Sequence, residues 1–268
     1  MQKSSIRSLI EKASRSLSFR RKLPKEFSSV PIVVSPSAGL KYLFKPMSKV
    51  DPTLFRCVRE IVRPGDVVWD IGANIGLFAF AAASISGSTG SVVAFEPDVW
   101  LVQLLRRSQT LQPPSSARIM VVPIAVASQV ALRQFEIAVR SRASNALAGY
   151  GHSQTGGVAE VQMVPAFNLD WLLSGLPEPA VIKCDVEDAE LEVFRDQVKI
   201  FSEIRPIVLC EVGEQSSAEI THLLLEHDYA LFDGEISLIG ASEIPRATWN
   251  TVAVPRERKL DCTSRGPR

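Results

Sequence analysis

The chain has 268 residues, 46% of them hydrophobic and 22% charged. This is the composition of a globular protein large enough to bury most of its unfolded surface, and it excludes disordered, collagen-like and disulfide-framework proteins. Lys and Arg number 30 against 29 Asp and Glu, a net charge of +1, so the chain-wide basic character of a nucleic-acid binder is absent. The charge is unevenly spread. Residues 1–26 hold eight Lys/Arg and two Asp/Glu, residues 256–268 hold five and two, and the body between 27 and 255 is acidic, with 17 against 25. Cys57, Cys184, Cys210 and Cys262 have neither C-x-x-C spacing nor a His at zinc-ligand distance in sequence. Unpaired thiols in apolar strands fit a reducing compartment. The longest strongly apolar stretch, about Ile75–Ile85, falls short of the ~20 residues of a membrane span. With no secretory pattern at the N-terminus, the expectation is a cytoplasmic protein.

In chain order, Ser4–Ser18 is predicted to form a basic amphipathic helix, with Ile6, Leu9, Ile10, Ala13 and Leu17 at helical spacing. Leu23–Phe27 reads as a linker. Val30–Val34 and Leu40–Phe44, around Ser35-Pro36-Ser37-Ala38-Gly39, read as a hairpin. Pro52–Val62 reads as a helix capped by Asp51. Alternation then begins. Strands are expected at Val67–Ile71, Ser91–Phe95, Ile119–Val122, Val181–Asp185 and Ile207–Glu211. Helices are expected at Leu77–Ser84, Asp98–Leu111, Leu169–Leu173 (with Asn168 as cap), Ala189–Lys199 and Ser217–His227. More exposed strands, Leu132–Val139 and Val161–Ala166, flank a Gly/Ser/His loop, and Tyr229–Phe232, Ile236–Ile239 and Thr251–Val254 close the chain. Short apolar strands alternating with helices predict an α/β fold: a mostly parallel, Rossmann-like sheet covered on both faces, with an antiparallel edge.

The sharpest motif is Val67-Val68-Trp69-Asp70-Ile71-Gly72-Ala73-Asn74-Ile75-Gly76-Leu77-Phe78, a strand, a loop and a helix. Gly72 permits a tight turn, Gly76 a close backbone approach, and the helix start offers free N–H groups to an anion. The G-x-x-x-G spacing is not the dinucleotide fingerprint, and no Walker Lys follows. An acid at Asp70 would repel a pyrophosphate. A ligand carrying both a cation and a carboxylate, such as S-adenosylmethionine, suits it better. The next strand ends in Phe95-Glu96-Pro97-Asp98, where a carboxylate at Glu96 can accept hydrogen bonds from both ribose hydroxyls. Taken singly, Asp70 and Glu96 are also compatible with helix capping.

A second constellation is Val181-Ile182-Lys183-Cys184-Asp185-Val186-Glu187-Asp188-Ala189-Glu190. Asp185 leaves the carboxyl end of a parallel strand, where such sheets bind ligands. Glu187 and Glu190 lie three residues apart, Glu211 ends the next strand, and Lys183 is the local counter-charge. Charge complementarity at a helix start accounts equally well for Asp188 and Glu190. Asp185, Glu187 and Glu211 carry oxygen ligands suited to Mg²⁺, yet no obligatory metal is expected.

VVWDIGANIGLF, FEPD, NLDWL, VIKCDVEDAELEVF and IVLCEV, in this order over about Val67–Val212, resemble the FkbM-type methyltransferase family. The glycine loop is shared by many class I methyltransferases, whereas K-x-D-V-E-x-A-E is specific to this family. The resemblance implies a Rossmann-like seven-stranded fold, S-adenosylmethionine as cofactor, and methylation of hydroxyls on sugars or natural products. Asp70, Gly72, Asn74 and Gly76, with Ala73 beside them, would hold the methionyl part, and Glu96, next to Pro97, the ribose. Asp185, Glu187 and Glu190 fall on the later acidic motif. Asp188 stands where the family usually has Gly, and Cys184 where it usually has Ile.

The expected organisation is a basic amphipathic segment at 1–27, a hairpin and helix at 28–63, the cofactor-binding methyltransferase domain at 64–255 and a basic tail at 256–268. For catalysis the sequence nominates Asp185 to orient acceptor or cofactor, Glu187 to contact the acceptor hydroxyl, Lys183 to tune both, and His152, in a glycine-rich loop, as a more distant base. Ser144-Asn145 reads as a substrate contact or a turn. The partner is a small hydroxylated acceptor: a sugar, a glycan or a natural product. Residues 1–22 suit peripheral contact with an anionic membrane, a lid on the acidic body or a solvated end. The rival functions are a binding protein that keeps the cofactor fold without catalysis, and a Rossmann-type oxidoreductase.

Overall fold

In a computed structural model of the chain, which describes residues 17–139, 141–151 and 156–258, the chain starts with β1 (Phe19–Lys22), antiparallel to β2 (Pro31–Val34). This corrects the hairpin expected at 30–44. Ser35 accepts a hydrogen bond from the Ser37 amide with Pro36 behind it, which starts a 3₁₀ turn, and Lys41–Phe44 is a short helix, α1. Arg21 of β1 donates to the carbonyls of Tyr42 (2.7 Å) and Lys45 (2.8 Å), closing the end of that helix. Leu23 and Phe27, read as linker, are buried in the core. The helix expected at Ser4–Ser18 falls almost wholly outside the described residues, as do His152 and most of the basic tail.

α2 (Pro52–Ile61) has the predicted cap: Asp51 Oδ1 accepts from the Leu54 amide at 3.0 Å. Then come β3 (Val67–Ile71), α3 (Leu77–Ser86), β4 (Ser91–Phe95), α4 (Val99–Gln109) and β5 (Arg118–Val122). An inserted portion follows: β6 (Ala125–Val126), β7 (Ala131–Ala138), β8 (Ala146–Leu147), β9 (Val158–Phe167) and the short helix α5 (Leu169–Leu172). β10 (Val181–Cys184), α6 (Glu190–Phe194), β11 (Ile207–Glu211), α7 (Ser217–Glu226), β12 (Tyr229–Asp233) and β13 (Asn250–Pro255) complete the chain.

The main sheet has seven strands in the order β12-β13-β11-β10-β3-β4-β5. β11, β10, β3, β4 and β5 are parallel, and β13 runs antiparallel between β11 and β12. This is the expected α/β, Rossmann-like sheet with an antiparallel edge. Strand alternation splits the core into two layers. Val68, Val92 and Val181 pack under α2 and α3, while Trp69, Ile71, Val93, Ile182 and Cys210 face the opposite layer. Each fully buried large side chain contributes about 1.5–3 kcal/mol. β6, β9, β7 and β8 form a separate sheet in that order.

Two further expectations need correction. The helix predicted over Ala189–Lys199 stops at Phe194. Asp196 has φ 62°, and Asp170 caps a new turn by accepting from the amides of Lys199 and Ile200, each at 3.0 Å. Ile236–Ile239 is not a strand, because its backbone is held by a side chain: Glu60 accepts from the Leu238 amide at 2.9 Å and from Ser237 Oγ at 2.8 Å. Among the described residues no helix is long and apolar enough to cross a membrane.

Candidate active site

The carboxyl ends of β3, β4, β10 and β11 converge on two cavities. The larger, about 580 Å³, is lined by Gly72, Asn74, Glu96 and Pro97 from the β3 and β4 ends, by Asp185 and Glu187 after β10, and by Arg142 and Asn145 from the inserted portion. The second, about 480 Å³, lies between the start of α2 and the ends of β10 and β11. Asp185 lines both.

Glycine is required at Gly72. Its φ is 73°, and a Cβ there would lie 1.9 Å from the Asp185 carbonyl oxygen. The loop is thereby pressed against the turn after β10, with the Gly72 and Ala73 amides donating to the Phe95 carbonyl at 3.1 and 2.9 Å. Gly76, at φ 86°, begins α3 without a side chain to cap it. Asp70 does that work from the strand: its Oδ2 accepts from the Ala79 amide at 3.0 Å. Asp70 is fully buried, and its other oxygen faces Lys183 Nζ at 3.4 Å. Burial raises its pKa against the lowering pull of Lys183. The structure thus places Asp70 beneath the loop and outside the lining of either cavity.

Glu96 follows the end of β4 and lines the larger cavity. It accepts from the Asn74 amide at 2.8 Å and the Asp98 amide at 2.9 Å, one bond on each oxygen. Burial pushes its pKa up to about 8. Asn74, at φ 52°, turns its Oδ1 into a buried position where it finds no partner in the protein.

Lys183 and Asp70 are register partners on β10 and β3. The Lys183 ammonium, almost fully buried, donates to the Gly72 carbonyl at 3.0 Å and pairs with Asp185 Oδ2 at 3.2 Å. Burial alone would lower its pKa, but Asp185 and Asp70 outweigh that and keep it charged. Beyond it the acids crowd. Burial, then Asp185, raises Glu187 to about 8, and the same two causes raise Glu211 to about 9. Glu190 accepts from the Val186 amide at 3.0 Å and closes the turn from inside rather than lining either cavity.

The sequence did not point to Arg142. It pairs with Asp98, stacks over the Trp100 ring at 4.9 Å, and lines the larger cavity beside Asn145. Asn145 donates to the same Asp98 oxygen at 2.9 Å and accepts from the Ala138 amide at 2.9 Å. Asp98 also caps α4 through the Trp100 amide. This cluster ties the inserted portion to the β4 end. Arg142 lies 44 residues from its partner, so no local spacing marks it.

The Methyltransferase FkbM domain matches residues 70–231, more than half of the chain. The chain belongs to the FkbM methyltransferase family. It is 25% identical over 174 residues to the hexuronic acid methyltransferase AglP of Haloferax volcanii, an alignment covering 65% of this chain and 67% of that protein. Among solved structures it is similar to a precorrin-6y C5,15-methyltransferase from Geobacter metallireducens (12% identity, 80% of this chain, 92% of that one, TM-score 0.45). It is also similar to an FkbM methyltransferase from Methylobacillus flagellatus (16% identity, 74% and 49%, TM-score 0.44).

As an FkbM methyltransferase the chain uses S-adenosylmethionine as methyl donor, and the larger cavity has the chemistry to hold it. Glu96 keeps acceptor lone pairs beyond its two amide bonds, and the orphaned Asn74 Oδ1 is an acceptor awaiting a donor. Its volume falls within the roughly 300–1,000 Å³ of small-molecule sites. The family departure at Asp188 also has a physical basis. Its φ is 71°, in the left-handed region that glycine occupies freely and Asp tolerates better than most residues.

Proposed function

We propose that this protein is an O-methyltransferase acting on a hydroxyl of a small sugar-like acceptor. The observation that carries this reading is the carboxylate of Asp185, at the carboxyl edge of the sheet, lining both the cofactor cavity and the second cavity. The curated relative, named for a hexuronic acid, supports a sugar as the acceptor class.

When bound, S-adenosylmethionine supplies an electrophilic methyl group with a neutral thioether as leaving group. Glu96 would receive the ribose hydroxyls, Asn74 Oδ1 and the backbone of the 72–76 loop would hold the methionyl end, and Pro97 and Arg142 would wall the nucleoside side. Asp70, buried beneath, fixes the loop by capping α3. Asp185 accepts a hydrogen bond from the acceptor hydroxyl, aligns its oxygen and takes its proton as the new C–O bond forms. Lys183, paired with Asp185 Oδ2 at 3.2 Å, holds the carboxylate in place for that role. Glu187 walls the cofactor side next to it, so contact with the acceptor hydroxyl, which the sequence assigned to Glu187, passes to Asp185. Alignment can supply about 7–11 kcal/mol and a positioned base a further 10²–10⁴-fold.

The test is transfer of a labelled methyl group to a panel of neutral, amino and acidic methyl glycosides. Wild type is expected to methylate at least one class. Asp185→Asn should lower kcat by roughly 10²–10⁴-fold with cofactor affinity unchanged. Full activity in Asp185→Asn together with its loss in Glu187→Gln would return the role to Glu187. Absence of transfer to the whole panel would contradict the acceptor class.

A further inference from the structure

Charge is segregated along the described chain. Residues 17–49 hold seven Lys/Arg against one Asp/Glu, whereas residues 50–255 hold 14 against 25. The basic stretch is held together as one piece. Arg21 of β1 donates to the carbonyls of Tyr42 and Lys45, which ties the strand to α1, and Arg20 and Lys22 stay exposed on that strand. On α1 and the turn after it, Lys41, Lys45 and Lys49 are exposed, and among the described residues none of them pairs with a carboxylate. Between Glu26 and Asp51 the chain carries no acid at all.

An independent feature sits in the same place. Phe44 is 75% exposed, more than any other large apolar side chain among the described residues, and Leu43 beside it is also exposed. Tyr42 turns the other way and is buried in the core. The short helix is thus anchored by one aromatic side chain and presents another to solvent, with a lysine at 41 on one side and at 45 on the other.

This combination fits a bilayer better than a polyanion in solution. Lysine ammoniums reach anionic headgroups while their aliphatic stems lie along apolar surface, and an open phenyl ring gains by entering the acyl boundary. A nucleic acid would use the cations but offers no apolar layer to Leu43.

We propose that α1 and the turn after it, with the exposed Arg20 and Lys22 of β1, form a face that docks the protein peripherally on an anionic membrane, with Phe44 as the inserted side chain. The face adjoins the site. Burial, then Asp51 and Asp185, raises the pKa of Tyr42, so this inward side chain of α1 lies close enough to feel both carboxylates. On a membrane, α1 stands between the lipid and the β10–β11 end of the site.

The experiment sediments the full chain with vesicles of phosphatidylcholine alone and of phosphatidylcholine mixed with phosphatidylglycerol. Binding is expected to the mixed vesicles only, and to fall as salt rises. Lys45→Glu/Lys49→Glu should cut partitioning about tenfold or more, and Phe44→Ser about fivefold. All three side chains are exposed, so unfolding temperatures should stay near that of wild type. Arg195→Glu/Lys199→Glu makes the same change in net charge at exposed positions at and beyond the end of α6, and should cut partitioning less than about threefold. Absence of wild-type binding to the mixed vesicles overturns the proposal. So does binding that Lys45→Glu/Lys49→Glu and Phe44→Ser both leave unchanged, or an equal loss in the Arg195 and Lys199 variant. Tighter binding to a single-stranded RNA oligonucleotide than to the mixed vesicles also overturns it and makes the face a nucleic-acid surface. None of these results touches the methyltransferase reading.

Discussion

The two ends of the site handle their acids in opposite ways. At the β3–β4 end, Asp70 and Glu96 are buried, and each is held by backbone amides: Ala79 for the first, Asn74 and Asp98 for the second. At the β10–β11 end, Asp185, Glu187 and Glu211 lean on one another, and Lys183 is the counter-charge they share with Asp70. Backbone donors come with the fold and stay fixed. A shared ammonium and crowded carboxylates respond to pH and to ligand. The first arrangement suits a cofactor that is always the same, the second an acceptor whose proton must leave.

The largest effect should come where the two ends touch. Gly72→Ala places a methyl group 1.9 Å from the Asp185 carbonyl oxygen at a positive φ. Its expected cost is about 3 kcal/mol or more, read as a large fall in unfolding temperature or a loss of soluble protein. A stable, cofactor-binding Gly72→Ala would break the picture of a loop pressed onto the β10 turn.

Lys183→Met should be nearly as severe. It leaves Asp70 and Asp185 without their cation, a loss of about 3–5 kcal/mol for a buried pair. The deficit should shrink as pH falls and the stranded carboxylates take up protons, which denaturant titration at several pH values would measure. A pH-independent deficit would mean that packing rather than charge is at stake.

Wild type should show a pH signature of its own. Glu96 and Glu187 titrate at about 8 and Glu211 at about 9 when folded, above their ordinary value of 4.5. The folded protein therefore holds more protons than the unfolded chain between those values. Stability should be full below about pH 4.5 as far as these groups are concerned, and should decline as pH rises through 8 to 9. Ribose hydroxyls favour ionised Glu96, so cofactor binding near pH 7 should release a proton, detectable by calorimetry in buffers of different ionisation enthalpy.

The smallest effect is expected at Asp188. Because its φ is 71°, Asp188→Gly relieves a strained backbone and should change stability by no more than about 1 kcal/mol, with cofactor affinity retained. A large loss would assign the Asp188 side chain a role at the acceptor end.

Much of the β3–β4 end was legible because it is local. Gly72, Gly76 and Glu96 lie in one strand–loop–helix–strand stretch, and apolar strand runs, the Asp51 cap and the parallel alternation could all be read from neighbours in sequence. Elements failed where partners are distant. β1 hides in the basic run Phe19-Arg20-Arg21-Lys22, so its partner β2 was matched to the wrong segment. Leu40–Phe44 alternates like a strand, yet the turn begun at Ser35 and Pro36 leads it into a helix. Ile236–Ile239 is apolar enough for a strand, but Glu60 claims its backbone from 178 residues away. At the site, Asp70 was read both as a ligand group and as a helix cap, and its bond to the Ala79 amide is that of a cap. Arg142 had no periodicity or motif to mark it, because its place depends on the inserted sheet folding back to Asp98.

The most direct test of the central claim is calorimetric titration of S-adenosylmethionine into wild type and Glu96→Ala. Wild type is expected to bind at micromolar strength. The variant should lose charge-assisted hydrogen bonds worth about 1.5–3 kcal/mol each, weakening binding at least tenfold. Equal affinity in the two proteins, or no binding to wild type, would contradict the assignment of the cavity at the β3 and β4 ends to the methyl donor.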